Sequence, residues 1–503
     1  MGVERMKNWR KVMSSWTFEE MRGLQNSRLR DFLRHQVYPF SPYYRKLFDD
    51  NGIDVRSIET TDDLTRIPFT YKQDIAPDEE DPERPTRFVL APNEETLRKY
   101  ASKKTLLKLA YTKLVKGEKA LTEMVEWEYA PVFIIFTTGR TAQPTPFLFT
   151  RYDFEVWNTH SSRSGTIMKE QINYEPGKLV LNAFPYAPHG GFWQVYLMTS
   201  MQGMLTLQSG GGKIMGTERI LDALESGSCM SLVAVPGYLY HLLRKALAEG
   251  RDLSSLRFLM TGGERAHPDY REKVLQLARD CGAKDPKFLA AGGFTEQKHY
   301  PIECLGGENV GYHTWPDLDF FEIVDPETGE RLPDDASGEL TYTALDGRGS
   351  IVIRYRTGDM VRAPALDYGP CPTCGLRICR INSVISRRSE IKEMTLTKLK
   401  GTLVNLNLLY EVIPTIPEVS EWQVELRKKN NDPYDNDEII LYITPQAAGQ
   451  ELKLRSELTE KMKYAMEVAP TEIVFEPLDR LISRLKLEEE LKEQRIVDNR
   501  PGA

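Results

Sequence analysis

Apolar positions near the start of the chain recur at helical spacing. Phe18, Met21, Leu24, Leu29, Phe32 and Leu33 fall close to a 3.6-residue period, which predicts a helix over Phe18–Arg34. Ser41 followed by Pro42 has the chemistry of an N-cap and a first helical residue, so the next helix starts there. Thr61, ahead of two acids, marks a third start. The charged stretch 77–128 carries a long helical pattern over Glu94–Leu121, between a Pro-rich lead-in and a strand. It reads as an insertion or lid.

From Pro131 the period changes. Short β-rich runs at Val132–Phe136, Leu179–Ala183, Met204–Leu207, Ser231–Val235, Phe258–Thr261 and Phe288–Ala291 alternate with helical stretches such as Gly216–Glu225 and Pro268–Arg279. Continuous apolar strands separated by helices predict a parallel sheet covered on both faces. After Phe320 the texture becomes strands and turns, with DPETGE supplying hairpin chemistry. The last block pairs strands Trp422–Leu426 and Glu438–Ile443 across a polar loop, followed by a helix over 450–467 and a strand at Glu472–Pro477. The expected fold is α/β: a large N-terminal domain, 1–389, with a β-rich subdomain, and a small α+β C-terminal domain, 390–503.

Composition narrows the function. The chain has 503 residues, 41% hydrophobic and 28% charged, enough to fill several cores. A net charge of −7, spread thinly, offers no basic patch for a phosphate backbone, so nucleic acid is not expected as a partner. No apolar run approaches the roughly 20 residues that span a bilayer, so no membrane partner is expected. The N-terminal MGVERMKNWRK lacks a signal-peptide core, and a cytoplasmic location is expected. Six cysteines are too few for a disulfide scaffold, and Cys371, Cys374 and Cys379 crowd into one turn.

Several motifs carry candidate chemistry. Thr137–Thr145 (TTGRTAQPT) follows a buried strand, and its hydroxyls and glycine can wrap phosphate oxygens; a plain polar turn is the alternative. Thr261–Glu264 and Gly292–Glu296 each end a predicted parallel strand, where ligands of open α/β sheets bind; turn glycines with solvated acids are the alternative. Tyr355–Asp359 (YRTGD) places a carboxylate at a strand end, where it suits either the two hydroxyls of a ribose or a surface salt bridge.

Taken in order, these segments resemble the adenylate-forming (AMP-binding) superfamily, and within it the phenylacetate–CoA ligase-like branch. The resemblance begins with SPYYRKLFDDNGID and DDLTRIPFTYKQDI and continues through FEIVDPETGERLPDDASGEL and IVIRYRTGD. It ends with the hinge-like Arg388–Glu390 and with Lys492–Asp498 (KEQRIVD), which resembles the segment carrying the catalytic lysine. Arg140, Ala142 and Gln143 depart from the usual loop, Gly292 stands where an aromatic is usual, and Leu491 replaces a glycine.

The resemblance implies an adenylation domain with a mobile C-terminal domain. It implies activation of a carboxylic acid, an aromatic one favoured, by ATP to an acyl-adenylate, then transfer to CoA with release of AMP. Lys492 and Glu296 would be catalytic, with Glu296 also holding Mg²⁺. Nucleotide contacts would come from Thr137, Thr138, Gly139, Arg140 and Thr141, from Gly263, Glu264 and Arg265, from Gly293, Phe294 and Thr295, and from Asp359 and Arg380. Phe184, Tyr186, His189, Gly190 and Phe192 would wall the acid, though such rings are commonly plain core. Cys371 and Cys374, at the x2 spacing of half a zinc site, would join Cys304 and His313 around a structural Zn²⁺; buried free thiols are the alternative. The readings left open are transfer to a carrier protein or an amine, a non-catalytic nucleotide-binding relative, and assembly as a homodimer.

Overall fold

A computed structural model describes residues 8–101, 103–137, 144–263, 266, 268–306, 310–387, 396–399, 402–405, 408–431, 437–466, 468–487 and 493–500. The chain divides into two units, Met1–Ile385 and Ser386–Ala503.

The N-terminal helices form where the pattern places them. Helix Phe18–Phe32 opens on a capping box between Thr17 and Glu20. Helix Pro42–Asp50 opens on Ser41, whose hydroxyl accepts the Tyr44 N–H. Thr61–Arg66 forms, but as a 3-10 helix. The single helical pattern over Glu94–Leu121 is in fact three helices, Glu94–Tyr100, Lys103–Lys116 and Glu118–Tyr129. The second break is Gly117, whose φ of 86° turns the backbone out of the helical region.

The first unit is built around a parallel sheet. Its strands are β3 (Leu179–Asn182), β4 (Thr206–Gln208), β5 (Cys229–Ala234), β6 (Phe258–Gly262) and β7 (Lys287–Ala291), in the order β4-β3-β5-β6-β7. Leu207, Leu181, Leu232, Leu259 and Phe288 lie in one row across it. Helices Gly190–Ser200, Thr217–Glu225, Pro236–Ala248 and Pro268–Asp280 alternate with these strands. The apolar run at Val132–Phe136 does not join this sheet. It forms β1 (Pro131–Phe136), which pairs antiparallel with β2 (Pro146–Thr150) through Phe133↔Phe149 and Ile135↔Phe147. The connection is too short for a parallel crossover, so a hairpin is the available pairing. Its outer face leaves Val132 and Ile134 exposed.

Beyond β8 (Tyr312–His313), an antiparallel set follows: β9 (Asp319–Val324), β10 (Gly338–Ala344) and β11 (Tyr355–Val361). Arg163, on the long helix Arg151–Gln171, reaches the segment before β9 with a buried two-pronged ion pair to Asp317, both distances 2.7 Å. The second unit pairs Val419–Lys428 with Asp437–Pro445 in register Trp422↔Ile443. Parallel strands Glu472–Phe475 and Ile496–Asp498 flank that pair. Val424, Leu426, Leu441 and Ile443 pack on Leu454, Leu458 and Met462 of helix Glu451–Met466.

Candidate active site

The hairpin β1–β2 fixes the base of the hydroxyl-rich loop. The Thr137 N–H donates to the Thr145 carbonyl at 3.0 Å, and the Thr145 N–H donates to the Thr137 Oγ1 at 3.1 Å. Thr138, Gly139, Arg140 and Thr141 lie outside the described residues. Just before this rung, the Phe136 N–H donates to the Pro188 carbonyl at 2.8 Å, tying the loop base to the segment after β3.

Several strands bring their carboxyl ends to that segment. Phe184 is buried at the ends of β3 and β6, and a side chain at Gly262 would meet its ring at 3.5 Å and Ala291 at 3.3 Å. Gly263 (φ 89°) and Gly293 (φ 123°) turn the chain sharply off β6 and β7. Glu264 and Arg265 lie outside the described residues. Phe294 faces inward against Tyr342 and Tyr355. Thr295 and Glu296 form a 3-10 turn, and Glu296 Oε1 accepts a hydrogen bond from the Tyr355 hydroxyl at 2.7 Å. Lys298, two residues on, donates to the buried Asp153 at 2.6 Å. Burial alone would raise the Asp153 pKa, but the Lys298 charge and several hydrogen bonds hold it below the usual carboxylate range. One carboxylate is thus aimed by β11 while its loop is anchored from behind.

Asp359 lies on β11, four residues after Tyr355. Its N–H donates to Thr357 Oγ1 at 3.0 Å, and that hydroxyl donates to the Leu340 carbonyl at 2.8 Å. Arg380 is buried and paired with Asp367. Lys492 lies outside the described residues.

The expected acid-binding residues come together around the start of helix Gly190–Ser200. His189 caps it, its Nδ1 accepting the Gly191 N–H at 3.2 Å. Burial pushes the His189 pKa down to about 4, so the ring is neutral near pH 7. Tyr186 is exposed and stands edge-on to Phe192, with ring centres 5.4 Å apart. Two rings here were not anticipated. A side chain at Gly190 would come within 2.0 Å of the Tyr300 hydroxyl, and one at Gly292 within 2.8 Å of the Tyr312 ring. Each of these glycines stands where a neighbour's ring fills the missing volume.

Close by, four metal-type donors converge. The ligand atoms of Cys304, His313, Cys371 and Cys374 all lie within 4.8 Å of one another. His313 Nε2 is 3.6 Å from the Cys304 sulfur and 3.4 Å from the Cys374 sulfur. A tetrahedral zinc ion with ligands at about 2.0–2.3 Å separates its donors by roughly 3.3–3.8 Å, so the residues present fit that ion. Hydrogen bonding from Cys304 and Cys374 drives the Cys371 pKa far down, while Cys304, facing the other two sulfurs, is driven up. Burial alone would lower His313, yet Cys371 and Cys374 raise it to about 9. Gln171 donates to the Cys304 sulfur at 2.9 Å, a second layer around the cluster. Cys379 stands apart, and His299 lies against Asp319 at 3.2 Å.

Comparison with known proteins decides the family. The AMP-binding enzyme family matches residues 67–344, more than half of the chain. The chain belongs to that family. This AMP-binding enzyme is 27% identical to phenylacetate–coenzyme A ligase of Thermus thermophilus over 417 residues, covering 82% of this chain and 79% of the relative. It is 25% identical to the enzyme of the same name from Aromatoleum evansii over 491 residues, covering 96% and 95%. Among solved structures it superposes on 2-hydroxyisobutyryl-CoA ligase in the postadenylation state with a TM-score of 0.69, at 18% identity, over 98% of this chain and 93% of that one. The family match takes in Thr137, Gly293, Glu296, Cys304 and His313; Asp359, Cys371 and Cys374 lie beyond it.

Proposed function

We propose that this AMP-binding enzyme activates a carboxylic acid with ATP and passes the acyl group to CoA. The observation that carries the reading is a meeting at the carboxyl edge of the parallel sheet: the pinned loop base Thr137–Thr145, the fixed carboxylate Glu296 and the ring-lined segment Phe184–Phe192. The curated relatives that run nearly the full length of the chain bear the name phenylacetate–coenzyme A ligase, which supports the same reading and favours an aromatic acid.

In the first step a carboxylate oxygen attacks the α-phosphorus of ATP and pyrophosphate leaves with the bonding pair. In the second the CoA sulfur attacks the acyl carbonyl and AMP leaves. The first step brings two anions together, so the protein must neutralise charge where they meet. Lys492 does this at the α-phosphate and the carboxylate, helped by the hydroxyls of Thr137, Thr138 and Thr141 and by Arg140. Glu296, a hard oxygen donor, would hold Mg²⁺, which when bound offsets phosphate charge. Asp359 accepts the ribose hydroxyls, while Gly263 and Gly293 let the base approach the backbone. ATP–pyrophosphate exchange with a panel of acids, followed by CoA-dependent AMP release, tests the proposal. Exchange with no acid would sink it.

We propose further that Cys304, His313, Cys371 and Cys374 hold a structural Zn²⁺. The set supplies four ligands with no open position, so the ion would tie the loop after Glu296 to the turn at Cys371. Elemental analysis of undenatured protein checks this: one zinc per chain is expected, and metal-free protein with freely titrating thiols would reject it.

A further inference from the structure

Helix Lys103–Lys116 has two apolar faces, and only one of them is used. On the inner face Thr112 is buried, with Thr105 and Leu109 half-buried, and the Thr112 hydroxyl reaches the Met124 sulfur on the following helix at 3.9 Å. On the other face Leu107, Tyr111, Leu114 and Val115 are 72%, 62%, 88% and 58% exposed. At about 100° per residue these four and Ala110 span an arc of roughly 140°, turned away from the packed side.

The charge of this helix runs against that of the chain. Its sequence, KKTLLKLAYTKLVK, has five lysines and no acid, in a chain whose net charge is −7. Helical spacing sets Lys108 about 20° beyond Val115 on one side of the exposed arc and Lys113 about 60° beyond Ala110 on the other, with Lys103 and Lys104 at the N-terminal end of the arc. Lys113 also meets the exposed Glu118 at 3.2 Å, a contact weak enough to exchange. The surface is therefore an apolar stripe with lysines on both flanks and at its N-terminal end.

A stripe of this kind calls for a covering partner, and charge selects among partners. Pairing two copies of the helix face to face would set lysines against lysines. An anionic lipid surface meets both features at once. Leucine and valine enter the acyl boundary, tyrosine suits the interface, and lysines on either flank reach outward to the headgroups. We propose that helix Lys103–Lys116 docks the enzyme, lying in plane, on an anionic phospholipid surface. The expectation that no membrane partner exists rested on spanning length. No helix among the described residues is long and apolar enough to cross a membrane, and a surface helix does not need to be.

Flotation of the full chain with vesicles tests the proposal. The enzyme should float with phosphatidylcholine–phosphatidylserine vesicles (roughly 2:1) at low salt, lose them at high salt, and ignore pure phosphatidylcholine. Leu107→Asp/Leu114→Asp should lower binding by at least about tenfold, with melting temperature and pyrophosphate exchange unchanged, because both side chains face solvent. Lys108→Gln/Lys113→Gln/Lys116→Gln should lower it roughly tenfold or more. Tyr111→Trp should give emission that shifts to the blue on vesicle addition. The proposal is overturned if the wild type fails to float, if it binds neutral vesicles equally, or if the two aspartates leave binding unchanged. A concentration-dependent dimer that the two aspartates abolish, without vesicle binding, would overturn it in favour of a contact between copies.

Discussion

One stretch of chain, Gly292–His313, feeds two sites built on opposite principles. At its start Glu296 is aimed by the Tyr355 hydroxyl, beside the exposed turn glycines Gly263 and Gly293. At its end Cys304 and His313 close with Cys371 and Cys374 into a set whose donor atoms face one another. Under the proposed function, substrates complete the first arrangement, as a reacting centre requires. Under the proposed zinc site, one ion completes the second. A substitution in the open site should therefore lower rate and spare stability, and one in the closed site should do the reverse.

The sharpest way to break that contrast is Glu296→Gln. The amide oxygen still accepts from Tyr355, so the fold is kept while the charge is lost. Pyrophosphate exchange should fall by roughly 100- to 1,000-fold, about 2.7–4 kcal/mol of transition-state stabilisation. A melting temperature that drops with the rate would show that Glu296 is structural instead.

Cys374→Ser is the converse test. It should remove the metal and lower stability by roughly 2–4 kcal/mol, while exchange measured well below the melting temperature stays near wild type. If exchange falls as far as in Glu296→Gln, the two sites act as one and the contrast fails.

The two sites also differ in how far the sequence exposed them. The convergence of the four donors was legible: the x2 cysteine pair and the Cys304–His313 segment are local signals, and the fold only had to bring two loops together. The parallel sheet was legible for the same reason, since each strand announces itself as an apolar run between helices. The open site was legible only as separate motifs. Tyr300 and Tyr312 carry no spacing signal, because their role is set by what they pack against, across the ends of strands distant in sequence. The hairpin β1–β2 was misread for a related reason. An apolar run does not say which partner it pairs with, and here the shortness of the connection decides.

Gly190→Ala sharpens the contrast from inside the open site. The new methyl would stand 2.0–2.3 Å from the hydroxyl and ring of Tyr300, a half-buried side chain hydrogen-bonded to Thr295 and to the Gly190 backbone. Overpacking of this kind costs about 1–3 kcal/mol. A lower melting temperature is expected, together with a raised KM for the acid, and Tyr300→Leu in the same chain should recover most of the stability. Unchanged melting would mean that the ring moves freely and that the glycine is not needed for space.

The smallest effect sets one histidine of each site against the other. Cys371 and Cys374 raise His313 to about 9 until a metal takes its ring nitrogen, whereas burial lowers His189 from 6.5 to about 4. A neutral His189 suits its place, because its Nδ1 must accept the Gly191 N–H and a cation at a helix N-terminus is unfavourable. A lowered histidine pKa means that the unfolded chain takes up the proton first. Its contribution is fully present above pH 6.5 and is lost as pH falls toward 4. At a pH one unit below 6.5 that loss amounts to about 1.4 kcal/mol. His189→Asn keeps an oxygen that can accept the Gly191 N–H and removes the titration. Wild type and variant should have similar stability above pH 7, and the variant should gain by about that amount in mild acid. The buried His160, also lowered well below its ordinary value, titrates in both proteins and cancels from the difference. Parallel stability–pH curves from chemical denaturation would show that His189 takes up its proton in the fold as readily as in the unfolded chain, and would remove the reason for its place at the helix start.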